Sequence, residues 1–130
     1  MEPQQTLFEA LGGEPALRAI VERFIERVYG DAIIGFFFEA IDREQLIERE
    51  YELAAMHLCG GVRYSGRPIR QVHAKHPINP GHFRRRLFLL ERTLRELEAP
   101  EAVIEAWLAH DRRLAAAVVH APDCAPETKV

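Results

Sequence analysis

The sequence YSGRPIRQVHAKHPINPGHF, residues 64–83, divides this chain into two helical halves. His73 lies near its middle, with glycine and proline on both sides. No long helix can run through these residues, because proline lacks the N–H group that a helix interior needs. Both flanks have helical patterns with wide apolar faces. The sequence therefore predicts a rigid irregular segment that presents one imidazole toward a helical core.

Length and composition favour one folded unit. The chain has 130 residues, close to the commonest domain size, so we expect a single domain over residues 1–130, with 1–5 and 121–130 frayed. Apolar residues make up 48% and charged residues 28%, which is typical of a globular protein. A second catalytic domain does not fit in this length.

Charge and cysteine content argue against several partners. The 17 basic and 20 acidic residues give a net charge of −3, which disfavours nucleic-acid binding. No signal peptide or membrane span is evident, since the apolar runs are far shorter than about 18 residues. Cys59 lies in a helical pattern and Cys124 lies far from it in a proline-containing tail, so the two do not suggest a disulfide framework. We expect a reduced, cytoplasmic protein with no nucleic-acid or membrane partner.

The residues before the central segment predict three helices. They cover residues 5–11, 14–30 and 42–58, and glycine pairs at 12–13 and 60–61 end the first and the third. Asp42 is the expected N-cap of the third helix. Between the second and third helices, Phe36, Phe37 and Phe38 are expected to pack inside as a short helix or turn, with a buried strand as the alternative.

The residues after the central segment predict two more helices and complete an all-α fold. The first runs from Asn79-Pro80 to about Glu98 and the second from Pro100 to about His120. The first has this predicted inward face: Phe83, Leu87, Phe88, Leu89, Leu90, Leu94 and Leu97. No credible strand is left to form a sheet.

Three charged residues interrupt apolar helical stripes. Glu50 lies in the row Leu46, Glu50, Leu53, His57; Arg86 lies between Phe83 and Leu90; Asp111 lies between Trp107 and Ala115. Burying any of these charges alone would cost several kcal/mol, so each is exposed, paired or functional. An ion pair in a pocket is one interpretation, and a side chain reaching water at the edge of its stripe is the other.

The histidines offer two kinds of metal chemistry. His73 and His76 have a spacing of three, but the proline after them disfavours a shared helical face and hence a structural zinc site. A haem site needs one axial imidazole, an apolar envelope and a few basic groups, and the chain offers all of them. A lone histidine in a helical protein is more often structural, so the residues alone leave both interpretations open.

The order of motifs resembles that of the truncated haemoglobins, most closely group I, from Leu7 to Val119. The similarity rests on LFEALGGEPALRAIVERF at 7–24, Phe37-Phe38, Gly60-Gly61, Tyr64-x-Gly66, and Val72-His73 followed by His82-Phe83. The resemblance implies a two-over-two helical sandwich around haem b, with His73 as the proximal iron ligand. It also implies these pocket residues: Ile69, Val72, Ile78, Phe83 and Leu90 on the proximal and inner side, Phe38 and Leu46 near the ring edge, and Tyr64 near the propionates.

The distal side departs from the family pattern. Ile25 stands where the family usually has an oxygen-binding tyrosine, and Glu50 stands where a glutamine is common. Arg86 and Asp111 occupy positions that are usually apolar, and Leu53 would share the pocket with them. We hypothesise that Arg86 replaces the missing phenol as hydrogen-bond donor, with Glu50 or Asp111 as its counter-ion.

Three functions are compatible with this resemblance. The first is a haem protein that binds O2, NO or CO, with nitric oxide dioxygenase or peroxidase-like turnover left open and an electron-donating reductase as partner. The second is a haem-based sensor or partner-binding module. The third is a globin fold that has lost haem and filled its pocket with the ion pair.

Overall fold

The computed structural model describes residues 5–65 and 78–118, with the backbone alone for 116–118. Its elements are α1 (Leu7–Leu11), α2 (Gly13–Tyr29), a 3₁₀ helix (Gly35–Phe38), α3 (Arg43–His57), α4 (Pro80–Glu96) and α5 (Glu101–Val118). These ranges contain no strand, so the predicted all-α class is confirmed. His73 lies outside the described residues, as do the ends at 1–4 and 119–130.

Local side-chain caps mark where α1, α3 and α4 begin. At α1 the hydroxyl of Thr6 accepts a hydrogen bond from the Glu9 amide, and the Glu9 carboxylate accepts one from the Thr6 amide. Asp42 accepts from two first-turn amides of α3, as predicted. Asn79 caps α4, and Pro80 follows it in the first turn, where no amide hydrogen is needed.

The helices pack as two pairs. Helix α2 packs on α3, α4 packs on α5, and α2 also contacts α4, while α1 lies against α2 and α5. The largest buried side chains of the core are Trp107, Phe24, Leu17, Ile25, Leu58, Leu90 and Leu94. Within the described residues α3 and α4 make no extensive contact, which leaves the space between them to side chains. None of the described helices is long and apolar enough to cross a bilayer.

One ion pair ties the end of the α2 region to α4. Arg85 donates from Nε at 3.0 Å and from Nη2 at 2.6 Å to Oδ1 of Asp31. The other carboxylate oxygen accepts from the amides of Ile33 and Ile34. The hydrogen bonds from Arg85 hold the pKa of Asp31 below its ordinary value, so the pair is charged at neutral pH.

Three residues predicted to face the core are exposed instead: Phe36 by 54%, Phe88 by 51% and Leu97 by 41%. The segment at 35–38 is a 3₁₀ helix rather than a strand, and its successive residues point about 120° apart, so three phenylalanines cannot all face inward. Phe88 lies on the side of α4 opposite the buried stripe. Leu97 is the C-cap, beyond the last turn that packs on the core.

Candidate functional site

Three charged side chains span the space between α3 and α4. Arg86 donates from Nη1 to Glu50 Oε1 at 3.0 Å and from Nη2 to Oε2 at 3.3 Å. Nη2 also donates to Asp111 Oδ2 at 2.9 Å. Because the three residues belong to α4, α3 and α5, a single guanidinium joins three helices. We call Arg86, Glu50 and Asp111 the charged triad.

The charged triad is largely withdrawn from water. The exposed fractions of the side chains are 21% for Arg86, 14% for Glu50 and 3% for Asp111. Burial disfavours the Arg86 cation, but the two carboxylates outweigh it and raise the pKa of Arg86. Burial likewise disfavours ionised Asp111, yet Arg86 outweighs it and lowers the pKa of that carboxyl. Arg86 and Asp111 are therefore both ionised at neutral pH.

The ring of Phe24, on α2, lies beside the guanidinium. The Arg86 guanidinium carbon lies 5.0 Å from the centre of the buried Phe24 ring, which is within cation–π distance. Ile25 is also buried and carries no hydrogen-bonding group.

Helix α3 has two faces with different roles. Tyr51, Ala54 and Ala55 are buried and attach α3 to the core mainly through small side chains. The row Leu46, Glu50, Leu53, His57 lies on another face and is half-buried along its length. This second face points toward α4 and α5, because Glu50 binds Arg86 and His57 contacts His110.

A pair of histidines at the end of this row was not predicted. The rings of His57 and His110 stack with centres 3.9 Å apart and planes at 14°. Nδ1 of His110 lies 3.3 Å from Oδ1 of Asp111. Burial, followed by the neighbouring His110, lowers the pKa of His57 to about 4, so its ring is neutral at neutral pH. Two sequence signals could have found the pair: the place of His57 on the Glu50 row and the position of His110 beside Asp111.

The other predicted site residues fall into three groups. Phe83 and Leu90 are buried; Phe38, Leu46, Leu53, Tyr64 and Ile78 are half-buried; Ile69, Val72 and His73 lie outside the described residues. The structure brings Glu50, Arg86 and Asp111 together, with both carboxylates as counter-ions rather than one. The contacts of these residues with a cofactor remain predictions.

Comparison with known proteins identifies the family. A model of bacterial-like globins matches residues 6–120. A group 1 truncated hemoglobin of Tetrahymena pyriformis is 32% identical over 104 residues, covering 80% of this chain and 86% of that protein. The crystal structure of truncated hemoglobin from Tetrahymena pyriformis in the Fe(III) form matches with a TM-score of 0.80 and 28% identity, covering 88% of this chain and 98% of the other.

A second solved structure shows the same arrangement of helices. The 2/2 hemoglobin from Synechococcus, in the cyanomet state and with covalently attached heme, matches with a TM-score of 0.78 and 25% identity, covering 83% of this chain and 91% of the other. This chain therefore belongs to the bacterial-like globin family and has the two-over-two helical fold of the truncated haemoglobins.

Proposed function

We propose that this chain is a haem b protein that binds diatomic gases at an iron held by His73, with Arg86 as the distal hydrogen-bond donor. The observation that carries the proposal is a largely buried cation fixed by two carboxylates between α3 and α4. Membership of the globin family and the heme named for the Synechococcus relative support the cofactor.

The described residues fit a flat apolar ring beside the charged triad. Leu46 and Leu53 are half-buried on the same row of α3 as Glu50, and Phe38 is half-buried near the start of that helix. Such side chains gain stability when an apolar ligand covers them, by about 25 cal/mol for each Å² removed from water. Helix α3 is attached to the core mainly by a separate face, that of Tyr51, Ala54 and Ala55, while Leu46 on the second face also packs against the core.

Bound haem would supply the ligand-binding iron, and His73 would be its axial ligand. Arg86 makes three hydrogen bonds to the two carboxylates, and a guanidinium carries further N–H groups that can donate to a ligand. Because Glu50 and Asp111 already hold the side chain in place, a donation costs little further side-chain entropy. Ile25 offers no hydroxyl, so the cation takes the place of the phenol.

Titration of the purified chain with haemin tests the cofactor and its ligand together. We expect a Soret band that saturates at about one haemin per chain, and a ferrous carbonyl spectrum typical of a histidine-ligated haem. His73→Ala should weaken haemin binding and alter that spectrum, whereas the matched variant His76→Ala, in the same segment, should leave both unchanged.

Two results would contradict the proposal. If the native chain never develops a Soret band, the charged triad fills the pocket of a globin fold that does not use haem. If His73→Ala binds haemin with an unaltered spectrum, another residue holds the iron.

A further inference from the structure

A second group of ligand atoms lies at the end of α3, beside the charged triad. His57, His110 and Asp111 each offer one nitrogen or oxygen, and these atoms all lie within 4.8 Å of one another. His110 and Asp111 are successive residues of α5, and His57 reaches them from α3. We propose that these three residues bind a divalent transition-metal ion such as Zn²⁺, at a site separate from the iron ligand His73.

One ring nitrogen in this group is buried without a partner. Nε2 of His57 is shielded from solvent and makes no hydrogen bond to the described residues. A buried polar atom left unpaired loses its hydration without compensation, and most such atoms in folded proteins are paired. An imidazole nitrogen that carries no proton has the lone pair that a metal ion requires. A bound ion would give this nitrogen its missing partner.

The donor set favours a transition metal over calcium or magnesium. Two imidazoles and one carboxylate are ligands that Zn²⁺ binds readily, whereas Ca²⁺ and Mg²⁺ prefer oxygen ligands throughout. Three protein ligands also leave a fourth tetrahedral position open for water.

Arg86 holds the carboxylate of the site in position. It binds Oδ2 of Asp111 at 2.9 Å, and the other oxygen, Oδ1, faces His110. Hydrogen bonds of this kind to a ligating carboxylate are common in metal sites and orient the ligand. The charged triad also has two carboxylates and one guanidinium, and its net negative charge favours an added cation. The positive charge of the nearby Arg113 disfavours an added cation. Arg113 is exposed, however, so water and salt screen its charge.

The site needs only small side-chain rotations to close. Ligands about 2.0–2.1 Å from a tetrahedral ion lie about 3.3 Å from each other, which is closer than the 4.8 Å limit that encloses the present atoms. The two imidazoles are stacked and nearly parallel, so they must tilt toward a common point. Both rings belong to residues that are half-buried rather than fully enclosed in the core, which leaves room for this movement.

Zinc binding to the metal-free full-length chain, measured by competition with a chromophoric chelator, tests the proposal. We expect about one Zn²⁺ per chain, with affinity reduced at least about tenfold in His57→Gln and in His110→Gln. The matched control His82→Gln should bind zinc as the native chain does, because His82 caps α4 and is not part of the group. Circular dichroism confirms that each variant is folded.

X-ray absorption at the zinc edge provides a second readout that haem iron does not affect. The native protein should show two imidazole ligands with nitrogen at about 2.0 Å, and His110→Gln should show one. The proposal is overturned if the native chain binds no zinc, if neither variant weakens binding, or if the spectrum shows fewer than two imidazoles. Since no step depends on haem, these results are independent of the haemin titration.

Discussion

Arg86 is the residue on which the site depends most, because it neutralises two carboxylates that would otherwise face each other away from water. A single surface ion pair contributes about 1 kcal/mol or less. The charged triad differs because Asp111 is 3% exposed and cannot recover its hydration if the cation is removed. Replacing Arg86 should therefore lower the free energy of unfolding much more than replacing a surface arginine does.

Replacing Arg86 by leucine tests this difference. We expect Arg86→Leu to lower the free energy of unfolding by about 3–5 kcal/mol at pH 7, measured by urea denaturation, because it leaves Glu50 and Asp111 without their cation. Adding Asp111→Leu should restore part of the loss, since one uncompensated charge is removed with it. Arg84→Leu, at an exposed position of the same helix, should change stability by about 0.5 kcal/mol or less. Equal effects at 84 and 86 would show that the charged triad does not stabilise the fold.

The charges of the triad could be recognised in the sequence, but their pairing could not. Helical spacing shows that Glu50, Arg86 and Asp111 lie on otherwise apolar stripes. It does not show which helix each stripe faces, so one carboxylate was expected to bind Arg86 and both do. His57 and His110 were missed for the same reason, because residues on two different helices meet only when the packing is known.

At the scale of the helices, an ion pair between Asp31 and Arg85 attaches the turn after α2 to α4. The pKa of Asp31 is lower in the folded chain than its ordinary value of 3.8, so the pair contributes stability above that pH and loses it as the pH falls through the lower folded pKa.

Asp31→Asn should thus lower the free energy of unfolding by about 1–3 kcal/mol at pH 7, and the difference from the native chain should shrink below about pH 4. Urea denaturation at pH 7 and near pH 3 measures both values. Asp42→Asn is the matched control, because asparagine caps a helix as well as aspartate does. If Asp31→Asn lowers the free energy of unfolding by the same amount at both pH values, Asp31 and Arg85 do not form a charged pair that stabilises the fold.

Helix α1 is held against the end of α3 by a close approach to Gly60. A Cβ atom at this position would lie 2.7 Å from Cδ1 of Phe8, and the amide of Phe8 donates to the carbonyl of Leu58 at 3.0 Å. An alanine at position 60 therefore requires the ring of Phe8 to shift.

Gly60→Ala should therefore destabilise the chain by about 1–3 kcal/mol, in a thermal or urea unfolding experiment, because the added methyl overpacks the contact. Combining it with Phe8→Leu should recover part of the loss. Gly30→Ala is the control, since its Cβ would make an ordinary contact of 3.6 Å, and we expect a change near zero or a slight gain. A neutral Gly60→Ala would mean that α1 moves freely away from α3.

Element boundaries were easier to predict than burial. The side chains of Asp42 and Asn79 bind amides of the first helical turn, so the local sequence is enough to predict these caps. Burial depends on packing between helices, which is why Phe36 and Phe88 were wrongly placed in the core. The contact of Phe8 with Gly60 joins distant parts of the chain and left no local signal.

In the molecule as a whole, the fold closes its core without bringing α3 and α4 into extensive contact. Tyr51, Ala54 and Ala55 attach α3 to the core, and the charged triad crosses the space on its other face. The family could be predicted from the order of motifs, and the match of the bacterial-like globin model to residues 6–120 confirms it. The full pairing of the charged triad could not, because Glu50, Arg86 and Asp111 lie on three helices whose mutual packing the sequence does not show.

The rate of oxygen dissociation from the ferrous haem-loaded protein tests the central claim most directly. Stopped-flow measurement should show release at least about tenfold faster in Arg86→Leu, which corresponds to about 1.4 kcal/mol and is close to the least expected from a charged hydrogen bond. Arg86→Leu combined with Asp111→Leu provides the same readout if the single variant is too unstable. Arg84→Leu should release oxygen at the native rate. Equal rates in all of these proteins would contradict the assignment of Arg86 as the distal donor.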